Sequence, residues 1–313
     1  MPLFTKITVR VIFCLLHVTP LYALNTQLSS SLNQQSAVKI ATLTPNLAEL
    51  AVSAGLSDNL VGVSAYSDYP SSLSKLPIIS DSQGVFVETL LAAKPDVVIA
   101  QEQLIPSGTQ LKLKKIGLDV REFSLDSIEE MIQVITELSQ WTEDKTIGQH
   151  TLISIKNDVK EIDELFNTHN KKYRVFIQYS THPILTSNRK NIFNELLSRC
   201  GVVNIFGNEI NKWPIVTEEG IVKSAPEIIM AITDDEKFYV EFNESIQNFF
   251  VVREQEPRKH YLSLLQHNDY IFNNVNLIIL NPDIFSRETP RLVNQTRFLC
   301  EVIQKELDEL KKE

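Results

Sequence analysis

Residues 87–100 read VETLLAAKPDVVIA, and residues 218–231 read EEGIVKSAPEIIMA. Each copy opens as a helix with an acid in its first turn, Glu88 or Glu219. Each stops at a proline, Pro95 or Pro226, whose ring and missing N–H cannot continue a helix. An acid follows, Asp96 or Glu227, and then a short unbroken apolar run that reads as a buried strand. A helix feeding an apolar strand is how a parallel sheet covered on both faces is written. A second pair keeps the same order, AELAVSAG at 48–55 and NELLSRCG at 194–201. The two pairs lie 131 and 146 residues apart, and two echoes in one order are better explained by two related lobes than by chance.

Working outward, VKIATL at 38–43 is strand-like; Pro45 suits the first turn of the next helix and Gly55 its stop. LVGVSA at 60–65 is a second strand, and a helix near 107–116 precedes a further strand, DVREF at 119–123. In the middle, Asp126 and Glu129 form a capping box for a helix through about Ser139. A second helical pattern runs from about Glu143 to Phe166, with Leu152, Ile155, Val159, Ile162 and Phe166 on one stripe. At ~1.5 Å per residue it would reach about 36 Å, enough to bridge two domains or to line one. The second lobe restarts at YRVFIQ, 173–178, and continues through VVNIF, PEIIMAIT and VNLIIL to a closing helix from Pro290 to about Leu310. The expected fold is α/β, with two Rossmann-like lobes of mostly parallel sheet and a long helical segment between them. The expected boundaries are an N-terminal lobe over 37–125, a linking segment over 126–170 and a C-terminal lobe over 171–313. No element is placed within the mixed, aromatic-rich stretch 234–282.

Residues 1–23 carry Lys6 and Arg10, an apolar run and the triplet LYA, the order of a cleavable secretory signal. Residues 24–36 are polar and aperiodic, as expected of a flexible leader. Without residues 1–23, Lys+Arg falls from 30 to 28 against 39 Asp+Glu, a net charge of −11 that argues against nucleic acid as a partner. Cys14 leaves with the signal. Cys200 and Cys300 remain, either paired in an oxidising compartment or as two buried thiols.

The sequence holds no Gly-rich phosphate loop, nucleophile elbow or helical His pair at metal-ligand spacing, so neither enzyme chemistry nor a metal site is expected. His260 and His267 are seven apart in the stretch without assigned structure. Binding residues are easier to name. Tyr66, Tyr69, Tyr179, Trp213 and Phe285 sit in loops or just after strands, where open parallel sheets bind ligands. Asp283 and Arg287 add polar groups in the last such loop.

The segments TLTPNLAEL, VGVSAYSDYP, VETLLAAKPDVVIA, NELLSRCG, KWPIV, APEIIMAIT and RETPRLV together resemble the periplasmic substrate-binding proteins of ABC importers, helical-backbone class, from about Val38 to the C-terminus. The likeness is greatest to the cobalamin-binding members. It implies two α/β lobes joined by one rigid helix, little hinge closure, no cofactor, and cobalamin or a related corrinoid bound between the lobes. The implied partners are the membrane permease subunits, met by a monomer. Tyr66 then packs on the corrinoid, Trp213 walls the cleft, and Asp283, Ile284, Phe285, Ser286 and Arg287 form a contacting loop. Cys200 and Cys300 match the family's disulfide, and Glu88 and Glu219 match carboxylates that dock on importer arginines. Ser82 and Gln101 stand where those members carry tryptophans, and with Tyr179 and Leu185 they are candidate cleft-lining residues. The 234–282 segment is also longer than expected. Haem or an iron–siderophore complex is the alternative ligand, with Tyr66, Tyr179 or His182 as haem ligands. A secreted two-lobed enzyme or sensor ectodomain is the alternative class.

Overall fold

The computed structural model describes residues 37–166, 172–235, 249–252 and 275–309. The expected signal and leader and most of the 234–282 stretch lie outside the described residues. From Val38 onward the chain forms one contact unit.

Its first sheet has strands β1 (Ile40–Thr42), β2 (Leu60–Ser64), β3 (Ile78–Asp81), β4 (Gly84–Val85), β5 (Val97–Gln101) and β6 (Val120–Phe123). The order is β4-β3-β2-β1-β5-β6, parallel except for the β3–β4 hairpin. A small hairpin, β8 (Ser180–Thr181) with β9 (Ile184–Leu185), follows β7 (Tyr173–Gln178). The second sheet combines β7 with β10 (Val202–Asn204), β11 (Ile228–Ile232), β12 (Phe249–Val252) and β13 (Asn276–Leu280). Its order is β10-β7-β11-β13-β12, with only β12 antiparallel. Stripped of edge strands, β2-β1-β5-β6 and β10-β7-β11-β13 are the same arrangement, so the sequence repeat is a repeat of topology. Strands β5 and β11 are buried at all five positions, as strands covered on both faces must be.

Nine α-helices are described: α1 (Pro45–Ser53), α2 (Val87–Ala93), α3 (Ser107–Lys115), α4 (Ile128–Leu138), α5 (Thr146–Phe166), α6 (Ile192–Arg199), α7 (Glu218–Lys223), α8 (Pro282–Phe285) and α9 (Pro290–Glu309). The capping box of α4 sits one residue later than the sequence pattern suggested. Ser127 accepts from the Glu130 N–H at 3.2 Å, and the Glu130 carboxylate accepts from the Asp126 N–H at 2.7 Å. Ser127 has the extended backbone a cap requires, and the Asp126 side chain is drawn off to Lys212.

Helix α5 begins at Thr146, slightly later than expected, and its 21 residues reach about 32 Å. Ile155, Ile162 and Phe166 are buried and Leu152 and Val159 pack against them, so the whole stripe is used. It lies against α1, α4, α6 and α9. One apolar core therefore runs without interruption from Ile40 and Leu47 of the first half to Val175, Phe193 and Leu299 of the second. Two smaller cores lie on the outer faces, one under α2 and α3 with Leu90 and Leu113, the other under α7 with Ile221. Cys200, at the end of α6, is disulfide-bonded to Cys300 of α9, with Cα atoms 5.7 Å apart across a separation of 100 residues.

The repeated stretch is explained at atomic level. Lys94 and Ala225, each just before the proline, both adopt positive φ, 51° and 44°. The next acids form the same clasp in both halves. The Asp96 N–H donates to the Lys39 carbonyl and its carboxylate accepts from the Lys39 N–H at 2.7 Å. The Glu227 N–H donates to the Arg174 carbonyl and its carboxylate accepts from the Arg174 N–H at 3.0 Å. Each acid thus pairs the start of β5 or β11 with the start of its neighbour, β1 or β7, at a point where a strand end would otherwise leave polar groups open.

Candidate ligand-binding cleft

In an open parallel sheet, ligands meet the loops at the carboxyl ends of the strands, at the point where strand order reverses. Both sheets direct those loops into one cavity of about 680 Å³. The first half contributes Asn46 after β1, Tyr66 and Asp68 after β2, Gln101 to Leu104 at the end of β5, and Ser124 to Asp126 after β6. The second contributes Lys212 and Trp213, Asp234 after β11, and Asp283, Ser286, Arg287 and Glu288 around α8.

Aromatic groups stand at its mouth and wall. Tyr66 is 78% exposed with a φ of 64°, a left-handed conformation that a non-glycine residue rarely takes, so the backbone turns its ring outward at some cost. Trp213 meets the Tyr179 ring edge-on, 4.9 Å between centroids. Tyr179 itself borders a smaller neighbouring cavity, and burial pushes its hydroxyl well above the usual tyrosine range. That makes it a poor anionic metal ligand.

Charged groups form the floor. The Arg287 guanidinium reaches three carboxylates: Glu49 at 3.1 Å, Asp68 at 2.9 Å and Asp283 at 2.7 Å. Burial alone would lower its pKa; hydrogen bonds and attraction from these acids outweigh that and raise it, so the group stays charged. Glu49, 3% exposed, also accepts from Arg291, through Nε at 2.8 Å and through Nη2. Arg291 lies over the Tyr69 ring, 3.8 Å from its centroid. Beside this network, Asn46 Nδ2 donates to Gln101 Oε1 at 2.8 Å and to Glu288 Oε2 at 2.9 Å. Burial raises the Glu288 pKa above the usual carboxylate value, against the pull of Lys212 and the Asn46 hydrogen bond. Lys212 pairs with Asp126. Most of these contacts join the first half of the chain to the second, so the floor of the cleft is also a polar latch between halves.

The sequence-based candidates divide accordingly. Tyr66, Gln101, Trp213, Asp283, Ser286 and Arg287 line the same cavity. Ile284 and Phe285, 4% and 1% exposed, point away from it into the core, where Phe285 packs on Phe193 and Phe249. On a helical turn residues three and four apart share a face, so Asp283, Ser286 and Arg287 look into the cavity and the pair between them looks into the core. Ser82 lies exposed in the β3–β4 turn, and Leu185 in β9 pairs with β8; neither lines the cavity. Glu88 and Glu219 are exposed in the first turns of α2 and α7, on the outer faces. Sequence reasoning missed Asn46, Glu49, Lys212, Glu288 and Arg291. For Glu49 a signal existed: it is a charge in the middle of an apolar helix, and Asn46–Ala51 of α1 are all buried.

A family model for the periplasmic binding proteins matches residues 40–251. The vitamin B12-binding protein of Vibrio parahaemolyticus is 30% identical over 267 residues, covering 84% of this chain and 88% of its own. That of Yersinia pestis is 28% identical over 271 residues, covering 87% and 88%. Among solved structures, the periplasmic vitamin B12 binding protein of Vibrio cholerae superposes with a TM-score of 0.68 at 27% identity, covering 85% of this chain and 96% of that one. A periplasmic heme binding protein from Pseudomonas aeruginosa, at 19% identity and a TM-score of 0.65, covers 84% and 91% and shares the fold. Two sheets of matching topology, a single long helix between them, a cleft fed by both, and a family match over most of the described chain lead to one conclusion: this chain belongs to the periplasmic binding proteins.

Proposed function

We propose that this protein, exported by a signal removed near residue 23, acts as a monomer that captures cobalamin or a related corrinoid and hands it to an ABC importer in the inner membrane. The observation that carries the reading is the single cavity that joins Tyr66 from one half to Trp213 and Arg287 from the other, in a chain whose vitamin B12-binding relatives align over most of its length. The ring of Tyr66 offers a flat apolar face to a macrocycle, and the polar floor offers acceptors to its amide side chains. The continuous core along α5 supports capture with little hinge motion, because opening the halves would expose apolar surface at about 25 cal/mol per Å². The reaction class is binding without turnover. Glu88 and Glu219 are the proposed contacts to permease arginines, one on each outer face.

Calorimetric titration of the mature protein with cyanocobalamin, haemin and a ferric siderophore tests the ligand. Saturable 1:1 heat with the first is expected; silence there and saturation with either other would overturn the choice. In the same protein, Glu88→Lys with Glu219→Lys should abolish uptake and leave affinity intact. A loss of affinity would remove those residues from the docking role.

A further inference from the structure

Both cations that line the cavity are already neutralised within the protein. Arg287 is held by Asp68, Asp283 and Glu49, and Lys212 by Asp126. Two further acids of the lining, Glu102 and Asp234, enter none of these pairs. Glu102 and Asp234 are exposed at the rim, on opposite halves, and Glu288 lies on the floor between Asn46 and Lys212. The undescribed residues 236–248 and 253–274 contain six acids and four bases, so their composition does not reverse the excess. A ligand entering here meets carboxylate oxygens, which accept hydrogen bonds and repel negative charge. Where Gln101 occupies the wall, the surface is an amide hydrogen-bonded to Asn46, again a polar and not an aromatic contact.

We propose that this cleft selects its tetrapyrrole by peripheral charge: it takes rings whose side chains are uncharged hydrogen-bond donors, as amides are, and rejects rings that carry carboxylates. The inference rests on the corrinoid reading for its first test but not for its second. An amide N–H can donate to Glu102, Asp234 or the Asp283 rim. A carboxylate at the same place would face them as a like charge, which weakens its binding relative to the amide. Selection of this kind resides in repulsion as much as in attraction.

Two matched pairs of probes keep the ring constant and change only its periphery. The first is dicyanocobinamide, whose side chains end in amides, against dicyanocobyrinic acid, whose side chains end in carboxylates; the second is haemin dimethyl ester against haemin. Within the corrinoid pair, the acid should bind at least about 100-fold more weakly at low salt. The gap should shrink as ionic strength rises and the Debye length falls. It should also shrink about tenfold in the Glu102→Gln, Asp234→Asn double variant, whose changed residues are exposed and whose melting temperature serves as the folding control. Equal binding of the amide and carboxylate corrinoids, or a gap indifferent to both salt and the double variant, overturns the proposal. If neither corrinoid binds but the haemin ester binds more tightly than haemin, the ligand reading falls and charge selection stands. Tighter binding of haemin than of its ester overturns charge selection in that case. If no member of either pair binds, both readings fall.

Discussion

Leu90 in α2 and Ile221 in α7 are 131 residues apart and do the same work, each burying the underside of a short helix against the outer face of its sheet. Glu88 and Glu219 stand two positions earlier on the exposed side, and Asp96 and Glu227 close the same clasp below. The carboxyl ends of the two sheets have no such match. After β1 the chain turns straight into a helix whose Asn46 and Glu49 face the second half; after β7 it forms the β8–β9 hairpin instead. The edge strands differ too, a β3–β4 hairpin on one side and β12 on the other. What repeats is whatever must satisfy a parallel sheet: a cover for each face, a stop before each strand and partners for the strand starts. What diverges is whatever faces the cleft, where the two halves need to be complementary and not equal.

The largest expected effect breaks the charge tie between the halves whose carboxylate is most deeply buried. Glu49→Ala leaves Arg287 and Arg291 without their shared buried carboxylate, and urea unfolding should register a loss of about 3–5 kcal/mol. A loss below about 1 kcal/mol would mean that the latch contributes little beyond the apolar core. Next in size is a matched pair. Leu90→Ala and Ile221→Ala should each cost about 2–4 kcal/mol, and the two values should agree to within about 1 kcal/mol if the outer faces are true copies. Clearly unequal costs would confine the repeat to topology.

The smallest effect concerns Glu288, which has no counterpart in the other half. Its pKa is raised in the folded protein, chiefly by burial, so the folded state holds the proton after the unfolded chain has released it. The stabilisation is fully present below the ordinary glutamate value of 4.5 and is lost as pH rises through the folded pKa. Glu288→Gln keeps an oxygen for Asn46 and removes the charge. Its melting temperature should therefore lie about 2 °C above that of the parent near pH 7.5, with the difference vanishing toward pH 4. The opposite order would mean that the ionised Glu288 is held favourably by Lys212.

Most of the frame was legible because it is set by local rules. Apolar periodicity located β1, β5, β7, β11 and β13; Pro45 and Pro95 marked a start and a stop; Gly55 and Gly201, with φ of 94° and 75°, sit where only a residue without a side chain is comfortable past a helix end. The stripe on α5 was visible as spacing. The capping box slipped by one residue because Asp126 is taken by Lys212, 86 positions away, and no local pattern contains that competition. The cleft was half legible. Tyr66, Trp213 and Arg287 were recognisable as loop residues after strands, whereas Ile284 and Phe285 turned inward because α8 packs its apolar side on Phe193 and Phe249. Glu288 and Arg291 carry no local signal, and only the fold makes them the second half's answer to Asn46 and Glu49.

By itself the sequence determined the alternation of helix and strand, the duplication and the acids in the first turns of α2 and α7. These follow from periodicity, turn chemistry and repetition, which are properties of neighbouring residues. Only the tertiary structure decided which charges meet. Arg287 comes within reach of Glu49 across 238 positions because two sheets present their carboxyl ends to one cavity. Coulomb attraction falls with distance in space, and no spacing along the chain states that distance.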